Sequence, residues 1–304
     1  MDSLNVTIFG IKLTLRPIAF SIPLGSRHWD IYWYGIIIAI GFLLALIYAI
    51  KNSKRFGIDN DRMLDVVMVT VPLAILCART YYVLFDGEKL EGIGDFFGFG
   101  DSSGFSGLAI YGGVIGAFSV GALMCKLRKV NILDMFDLTA LGFLLGQGIG
   151  RWGNFVNQEA FGCPTGSSWW GMTSERVVSD FASKGFDTTA LAHPCFLYES
   201  VWCILGFFLL HKLSKKRLYK GQIILSYCAW YGFGRGIIEL LRTDSLPLGT
   251  NIRISSILSF ALLIASVTVM TVISKKIKEK NTVYENVFIS EETDKEEIEN
   301  GENN

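Results

Sequence analysis

Seven long apolar runs constrain this 304-residue chain more than any other feature of its sequence. A helix needs about 20 residues to cross a bilayer, and lipid leaves no water to satisfy an irregular backbone. The chain is therefore predicted to be an all-α polytopic membrane protein of about seven transmembrane helices with a small external head region. The runs lie near Ile31–Ile50, Leu64–Phe85, Leu108–Cys125, Ile132–Ile149, Phe196–Leu213, Gln222–Leu241 and Ile254–Ile273.

The composition excludes several other classes of protein. Hydrophobic residues make up 51% of the chain and charged residues 18%, against about 25% charged residues in soluble domains. Disorder, collagen and coiled coil are excluded, and a soluble enzyme is disfavoured. The 28 basic and 28 acidic residues cancel, so nothing in the charge indicates a nucleic-acid partner.

The placement of lysine and arginine predicts the orientation of the chain. Dense basic clusters at 51–62, 126–129, 212–220 and 275–280 all fall on one side of a seven-span arrangement. Cytoplasmic loops carry such an excess, so the N-terminus is predicted outside and the C-terminus in the cytoplasm.

This orientation divides the chain into three regions. Residues 1–30 form an external arm, in which Asn5–Ile22 is predicted to form short strands or an interfacial segment. Residues 31–273 form the membrane domain, whose external head loop covers 151–195. Residues 274–304 form an acidic cytoplasmic tail, which is predicted to be disordered.

Charged side chains within the spans require an explanation, because inserting one at the bilayer centre costs about 2.5–3.5 kcal/mol of free energy. All of them are predicted to lie toward the outer leaflet. They are Arg79, Arg151, His193, Glu199, Arg235, Glu239 and Arg242. An Arg235–Glu239 ion pair that only joins helices would explain those two residues. The common position of the whole set favours a substrate site at the outer surface.

Two features add detail to the spans. In the sixth, Tyr227, Tyr231, Arg235 and Glu239 are spaced four apart and Arg242 follows three later, so all share one helical face. Glycines form small-residue faces on the third and fourth spans, which are predicted to make the tightly packed centre. These glycines are Gly112, Gly116, Gly142, Gly146 and Gly150.

The segment from Gly150 to Gly162, GRWGNFVNQEAFG, is the most specific motif of the chain. Arg151 and Asn154 share a helical face where the fourth span meets the outer headgroups, and an arginine fork there suits a phosphate. The motif closely resembles the signature of the bacterial prolipoprotein diacylglyceryl transferases. Further resemblances follow in the family's order: YWYG at 32–35, LAIYGG at 108–113, HPCFLYE at 193–199 and YGFGR at 231–235.

The resemblance implies an enzyme of the bacterial cell membrane. It would transfer diacylglyceryl from phosphatidylglycerol to the lipobox cysteine thiol of a preprolipoprotein and release glycerol-1-phosphate. Its partners are these two substrates and the lipid bilayer. No metal or nucleotide motif is present, so no cofactor is predicted.

The resemblance also implies the residues of the site. Arg151 is the predicted phosphate binder, and the other substrate-binding residues are Tyr34, Asn154, Asn157, Glu159 and Arg242. The predicted catalytic residues are Tyr111, Arg235 and Glu239. Some family members have histidine in place of Tyr111, and tyrosine is a poor base at neutral pH. The general base therefore stays open, with Glu159, Glu199, Glu239 and His193 as alternatives.

Three further points stay open at this stage. A transporter for an anionic solute would also carry intramembrane arginines, although transporter sites lie near the midplane between repeats. A lipid-binding scaffold without catalysis is another alternative. A disulfide between Cys163 and Cys195 is permitted outside the cell but not required.

Overall fold

The computed structural model describes residues 4–24, 27–86, 96, 107–242 and 254–280. Helices of 18 residues or more account for most of the described chain, and one shorter helix lies between the fourth and fifth of them. In chain order the helices are α1 Trp33–Asn52, α2 Asn60–Asp86, α3 Ile110–Leu127, α4 Ile132–Val156, α5 Glu175–Lys184, α6 Cys195–Ser214, α7 Gln222–Leu241 and α8 Ile254–Lys280.

The long helices have the length and composition of membrane spans. Within the described residues, six of them are apolar enough to cross a bilayer, and α7 is not among the six. In α1 only 11% of the most apolar window is buried, as expected of a helix whose sides face lipid. The predicted class, a helical multi-pass membrane protein, is confirmed. The count of seven spans stays a prediction, because α7 carries the polar stripe that lowers its hydropathy.

The described chain forms two compact units. One contains the residues up to Ala49 and those from Asp137 onward, and the other contains Ile50–Phe136. In the second unit α2 packs against α3, and Gly112 and Gly116 make the close approach possible. A Cβ at Gly116 would lie 2.6 Å from the Cβ of Cys77, and one at Gly112 would lie 2.6 Å from the Cys77 carbonyl oxygen.

The glycine face of α4 has a different partner from the one that the sequence predicted. A Cβ at Gly142 would lie 3.5 Å from that of Ala45, and one at Gly146 would lie 3.8 Å from the carbonyl oxygen of Gly41. These glycines of α4 therefore face α1, and those of α3 face α2. The prediction that the two faces together make one tight centre is wrong, because each face packs within its own unit.

Short strands build a head beside the helices of the first unit. Strands β1 Leu4–Ile8, β2 Ile11–Leu15 and β5 Met172–Ser174 form an antiparallel sheet in the order β2-β1-β5. Strands β3 Ile18–Leu24 and β4 Arg27–Tyr32 form a separate hairpin that leads directly into α1. Strands were one of the two predicted structures for Asn5–Ile22, and the structure shows them.

The head has a hydrophobic core that also fixes the end of α4. Its buried members come from β1, from β5, α5 and the loop after α5, from the Gly150–Gly162 motif itself and from the start of α6. They are Val6, Phe155, Ala160, Phe161, Met172, Val177, Phe181, Ala192 and Phe196. The rings of Phe155 and Phe196 stack with their centroids 4.8 Å apart, which joins the end of α4 to the start of α6.

Candidate active site

The chain makes a tight turn directly after α4, inside the Gly150–Gly162 motif. Gln158 and Ala160 both have left-handed backbone conformations, with φ of 55° and 57°. Such values are uncommon for residues other than glycine and are held here by burial, since Gln158 is 1% and Ala160 2% exposed. The turn presents Glu159 between two buried residues.

Arg151 lies in the last turns of α4 and reaches across to α6. Its Nη2 is 2.6 Å from Oε2 of Glu199, and its Nη1 donates to Oδ1 of Asn154 at 3.3 Å. The predicted common face of Arg151 and Asn154 is thus confirmed by a direct contact. A hydrogen bond of 2.7 Å from Ser200 Oγ to the carbonyl oxygen of Gly148 holds α4 and α6 together nearby.

Arg235 and Arg242 approach the same carboxylate from α7. Arg235 Nη1 donates to Oε1 of Glu199 at 2.6 Å, and Arg242 Nη1 donates to the same oxygen at 3.4 Å. The Glu199 side chain is only 4% exposed. Three arginines from two helices therefore converge on one buried carboxylate. We call Arg151, Arg235, Arg242, Glu199 and Glu239 the arginine cluster.

Glu239 completes the cluster, one helical turn after Arg235. Its Oε2 is 2.5 Å from Arg235 Nη2, as the spacing of four predicted, and its Oε1 accepts from Ser255 Oγ of α8 at 2.5 Å. Three guanidinium groups and two carboxylates leave one positive charge in a largely buried place. A net positive, desolvated cluster of this kind favours an anion, since charges interact more strongly where water is excluded.

A small cavity opens beside the cluster, between α6 and α7. It has a volume of about 10 Å³, which is room for about one water molecule. Glu199 and Arg235 form its polar side, and the other walls are mostly apolar. The remaining lining residues are Trp202, Cys203, Tyr231 and Ile238.

The end of the motif is fastened to the end of α7. The amide of Cys163 donates to the carbonyl oxygen of Leu241 at 2.7 Å, and Gly162 pairs with Arg242 as an isolated antiparallel bridge. A Cβ at Gly162 would lie 2.6 Å from that same carbonyl oxygen. Only glycine permits this approach, so the motif is held to the cluster at both of its ends.

A second group of polar contacts extends from Arg151 toward the head. Asn154 Nδ2 donates to Oε2 of Glu159 at 3.5 Å, and Arg176 of α5 donates to Oε1 of Glu159 at 3.3 Å and to the Asn157 carbonyl oxygen at 3.2 Å. The structure therefore brings the predicted residues Asn154, Asn157 and Glu159 together. Arg176 was not predicted, because it lies 17 residues beyond Glu159 with no helical spacing to connect them.

Tyr34 lies against the same motif from α1. A Cβ at Gly153 would be 2.8 Å from Cδ2 of the Tyr34 ring, so the ring occupies the space that a side chain would fill. The structure thus packs Tyr34 against the motif, and its role in substrate binding stays a prediction.

The pairing of α6 with α7 depends on two tryptophans. Trp202 and Trp230 stack with centroids 4.1 Å apart, and each donates its indole N–H to the other's carbonyl oxygen at 3.0 Å. Each ring also covers a glycine of the opposite helix: Trp202 covers Gly234 and Trp230 covers Gly206. The sequence analysis did not identify this pair, whose members are 28 residues apart.

A buried ion pair joins α4 to the loop between α6 and α7. Arg217 Nη1 donates to Oδ2 of Asp137 at 2.7 Å, and the side chains are 2% and 0% exposed. Asp137 also accepts from the backbone amides of Gly221 at 2.9 Å and Ile224 at 2.8 Å, so it caps the start of α7. The sequence analysis counted Arg217 among the cytoplasmic loop charges. It is instead a buried partner of α4.

Comparison with known proteins shows which family the chain is similar to. The sequence model of the prolipoprotein diacylglyceryl transferase family matches residues 17–272. A phosphatidylglycerol–prolipoprotein diacylglyceryl transferase of Clostridium novyi is 40% identical over 280 residues, which is 88% of this chain and 99% of that protein. The enzymes of that name from Bacillus velezensis and Clostridioides difficile are 38% and 37% identical, over 84% and 94% of this chain and 91% and 100% of their own lengths.

The chain belongs to the prolipoprotein diacylglyceryl transferase family. It is accordingly a transferase, as the sequence predicted. The arginine cluster uses three of the motifs that carried the resemblance, since Arg151, Glu199 and Arg235 each come from a different one.

Tyr111 and His193, which the sequence analysis considered in relation to proton transfer, are described within their own units. Tyr111 is the second residue of α3, belongs to the other compact unit and is 58% exposed. His193 lies in the loop before α6, where partial burial lowers its pKa, and its Nδ1 pairs with the Tyr198 hydroxyl at 3.1 Å. The roles of both residues stay predictions.

Two other residues that the sequence singled out have defined surroundings. Arg79 is 3% exposed and donates to the backbone carbonyls of Phe96 at 3.1 Å and Gly107 at 3.2 Å, so in its unit it supports the chain around α3. Cys163 and Cys195 are both free thiols, and the disulfide that the sequence left open is not formed.

Proposed function

We propose that the arginine cluster binds the phosphate of phosphatidylglycerol while the chain transfers diacylglyceryl to the lipobox cysteine of a prolipoprotein. The observation that carries this proposal is the convergence of Arg151, Arg235 and Arg242 at one buried point. The names of the relatives support the two substrates. Planar guanidinium groups suit phosphate oxygens better than ammonium groups do, because they donate two parallel hydrogen bonds.

The reaction forms a carbon–sulfur bond and breaks a carbon–oxygen bond and the S–H bond of the thiol. The thiol sulfur forms a thioether with the diacylglyceryl carbon that carries the phosphate, and the bond from this carbon to the phosphate oxygen breaks. Glycerol-1-phosphate leaves with the electron pair of that bond, and the thiol proton passes to solvent or to the general base, whose identity stays open. The substrate supplies the nucleophile, so none of the enzyme's own cysteines is needed.

Negative charge grows on the phosphate as this bond breaks. Donors that are already in place when the charge develops lower the barrier most, because they need no reorganisation. Arg151 and Arg235 are held in place by carboxylates on α6 and α7. We assign Arg151 and Arg242 to phosphate binding and Arg235 to stabilising the negative charge of the leaving group, while Glu239 orients Arg235 through their ion pair.

The remaining site residues are assigned around this centre. Asn154, Asn157 and Glu159 bind the glycerol part of the headgroup, and the Asn154–Glu159 contact keeps them on one side of Arg151. Tyr34 lines the approach over Gly153. Tyr111 takes part in the chemistry, as the family resemblance implies.

We further propose that the chain lies in the bacterial cell membrane with its N-terminus and head outside. The membrane-spanning character of six helices and the one-sided lysine and arginine clusters support this orientation. Residues 1–30 and 151–195 then form the external part, 31–273 the membrane domain and 274–304 the cytoplasmic tail. Strand β1 lies in residues 1–30 and strand β5 in residues 151–195, and the two strands pair in one sheet. This pairing supports a head built from both external segments.

Turnover by the purified protein tests the proposed function. The protein in detergent is mixed with phosphatidylglycerol and a lipobox peptide, and mass spectrometry follows the gain of one diacylglyceryl group. A peptide with serine in place of the lipobox cysteine is the matched control and should stay unmodified. An anion flux across proteoliposomes without any peptide modification would instead support a transporter and overturn the proposal.

A further inference from the structure

Glu199 occupies the donors that a substrate phosphate would need. Its two oxygens contact Nη2 of Arg151 at 2.6 Å, Nη1 of Arg235 at 2.6 Å and Nη1 of Arg242 at 3.4 Å. The other terminal nitrogens of Arg151 and Arg235 are also engaged, with Asn154 and Glu239. Each terminal nitrogen of these two guanidinium groups therefore already has a partner, so a phosphate that binds through both nitrogens competes with existing contacts.

The contacts of Glu199 differ in quality. The Oε1 atom accepts aligned hydrogen bonds from Arg235 and Arg242. The Oε2 atom lies close to Arg151 but has no hydrogen-bond partner among the described residues, although it is buried. The pair with Arg151 is thus held by charge without hydrogen-bond geometry. A buried acceptor without an aligned donor is costly, so an anion that aligns with Arg151 can replace this contact.

We infer that Glu199 is an internal substitute for the substrate phosphate, which takes over its contacts with Arg151 when it binds. The inference rests on the proposed function only for the identity of the substrate. Glu199 keeps three like charges together at a site that is largely out of water, where they would otherwise repel one another. When an anion binds, Glu199 loses part of its contacts with the arginines, because the anion accepts two parallel hydrogen bonds from the same guanidinium groups.

Exchange of this kind has a measurable signature. Glu199 competes with phosphate, so its presence weakens the binding of every ligand that carries phosphate, including the product. Glu199→Gln keeps the shape of the side chain but removes its charge. We expect this variant to bind glycerol-1-phosphate about tenfold more tightly than the wild type, the factor that corresponds to one charge-assisted contact. Its kcat should fall, because the product leaves more slowly and Arg235 is less well oriented.

A merely structural role for Glu199 predicts the opposite pattern. Loss of a buried support would loosen the arginines, so phosphate affinity would fall together with turnover. Asp180→Asn is the control, because it also removes one carboxylate, but one that pairs with Lys184 of the same helix and has no part in the proposed site. If the effect comes from net charge alone, both variants tighten binding equally. The inference requires that Asp180→Asn change the affinity by less than about twofold.

The experiment measures the dissociation constant of glycerol-1-phosphate by calorimetry for the wild type and both variants in detergent. Inorganic phosphate is a second probe, because it lacks the glycerol group. Weaker or unchanged binding by Glu199→Gln overturns the inference. Tighter binding in a protein that shows no turnover with phosphatidylglycerol would leave the exchange standing and remove the proposed function.

A measurement on the wild type covers the case in which Glu199→Gln does not fold. Protein labelled with ¹³C-glutamate is examined by difference infrared spectroscopy while glycerol-1-phosphate is added. Exchange at Glu199 changes the environment of one carboxylate, so a labelled carboxylate band should shift. Inorganic phosphate, which lacks the glycerol group that Glu159 is proposed to bind, should shift the same band. Saturating glycerol-1-phosphate without any shift in a labelled band contradicts the inference.

Discussion

Trp202 of α6 and Trp230 of α7 each donate the indole N–H to the other's backbone carbonyl oxygen, both at 3.0 Å. This reciprocal pair sets the distance between the two helices that carry most of the arginine cluster. Glu199 lies three residues before Trp202, and Arg235 directly follows Gly234, over which the Trp202 ring lies. The 2.6 Å contact between Glu199 and Arg235 depends on this close approach.

Gly234→Ala should therefore separate α6 from α7. The new Cβ would collide with the Trp202 indole, and overpacking of this kind costs about 1–3 kcal/mol. We expect a lower unfolding temperature in detergent and a loss of turnover. Gly142→Ala is the control, because its Cβ would meet Ala45 at an ordinary 3.5 Å and should change neither quantity strongly.

Replacement of Arg151 by lysine separates charge from geometry. The lysine keeps a positive charge near Glu199 but loses the planar pair of donors. Loss of one preorganised transition-state contact lowers turnover by about 10²–10³-fold. The variant should retain the unfolding temperature of the wild type. Arg128→Lys, in a half-exposed pair with Asp65, should retain full turnover. Near-normal turnover by Arg151→Lys would show that a point charge suffices.

Asp137→Ala tests the buried ion pair at the far end of α4 and α7. It leaves the Arg217 guanidinium buried without its carboxylate and removes the cap of α7, so we expect a loss of about 3–5 kcal/mol in stability. Asp65→Ala breaks an exposed pair and should cost about 0–1 kcal/mol. Denaturation of both variants in detergent compares these costs. Similar costs for the two would mean that the burial of Asp137 does not matter.

Substitutions of Tyr111 test whether its hydroxyl takes part in the reaction. Some family members have histidine at this position, so Tyr111→His should retain part of the turnover. Tyr111→Phe keeps the ring but removes the only group that can bind a phosphate or thiol, and we expect it to lose turnover. Assays of both variants with phosphatidylglycerol and a lipobox peptide decide the matter. If phenylalanine serves as well as tyrosine, Tyr111 is an aromatic residue of the membrane interface only.

The partial burial of His193 makes the stability of the protein depend on pH. Burial lowers the pKa of His193 below its ordinary value of 6.5, so the unfolded chain binds a proton more readily than the folded one. Stability should therefore decrease as the pH falls from 6.5 toward the lower folded value. The difference in unfolding temperature between pH 7.5 and pH 5.5 should be smaller for His193→Gln than for the wild type. An equal difference in both proteins would assign the dependence to other groups.

The parts of the site that the sequence could predict are those that local geometry determines. The Arg235–Glu239 pair follows from a spacing of four on one helix, and the Arg151–Asn154 contact from a spacing of three. Both need only the helical repeat. The family resemblance added Tyr34, Asn157, Glu159 and Arg242, and the structure places these near the same motif.

The contacts that bring the helices together could not be predicted in this way. Glu199 is 36 residues from Arg235, and Asp137 is 80 residues from Arg217, so no periodicity relates them. Their pairing depends on how the helices pack. For the same reason the glycine faces of α3 and α4 were assigned to each other, although small residues show only that some helix comes close.

The pairing of β1 with β5 has a consequence for the order in which the head can assemble. Val6, at the start of the chain, is paired in register with Ser174 and is 1% exposed in the head core. Ribosomes make the chain from its N-terminus, so β1 can pair with β2 at once, whereas its other neighbour, β5, does not yet exist. Helices α1 to α4 must all be synthesised before β5 emerges. One edge of β1 therefore gains its partner only after four helices have been made, and until then that edge is open to wrong pairings that a chaperone would need to prevent.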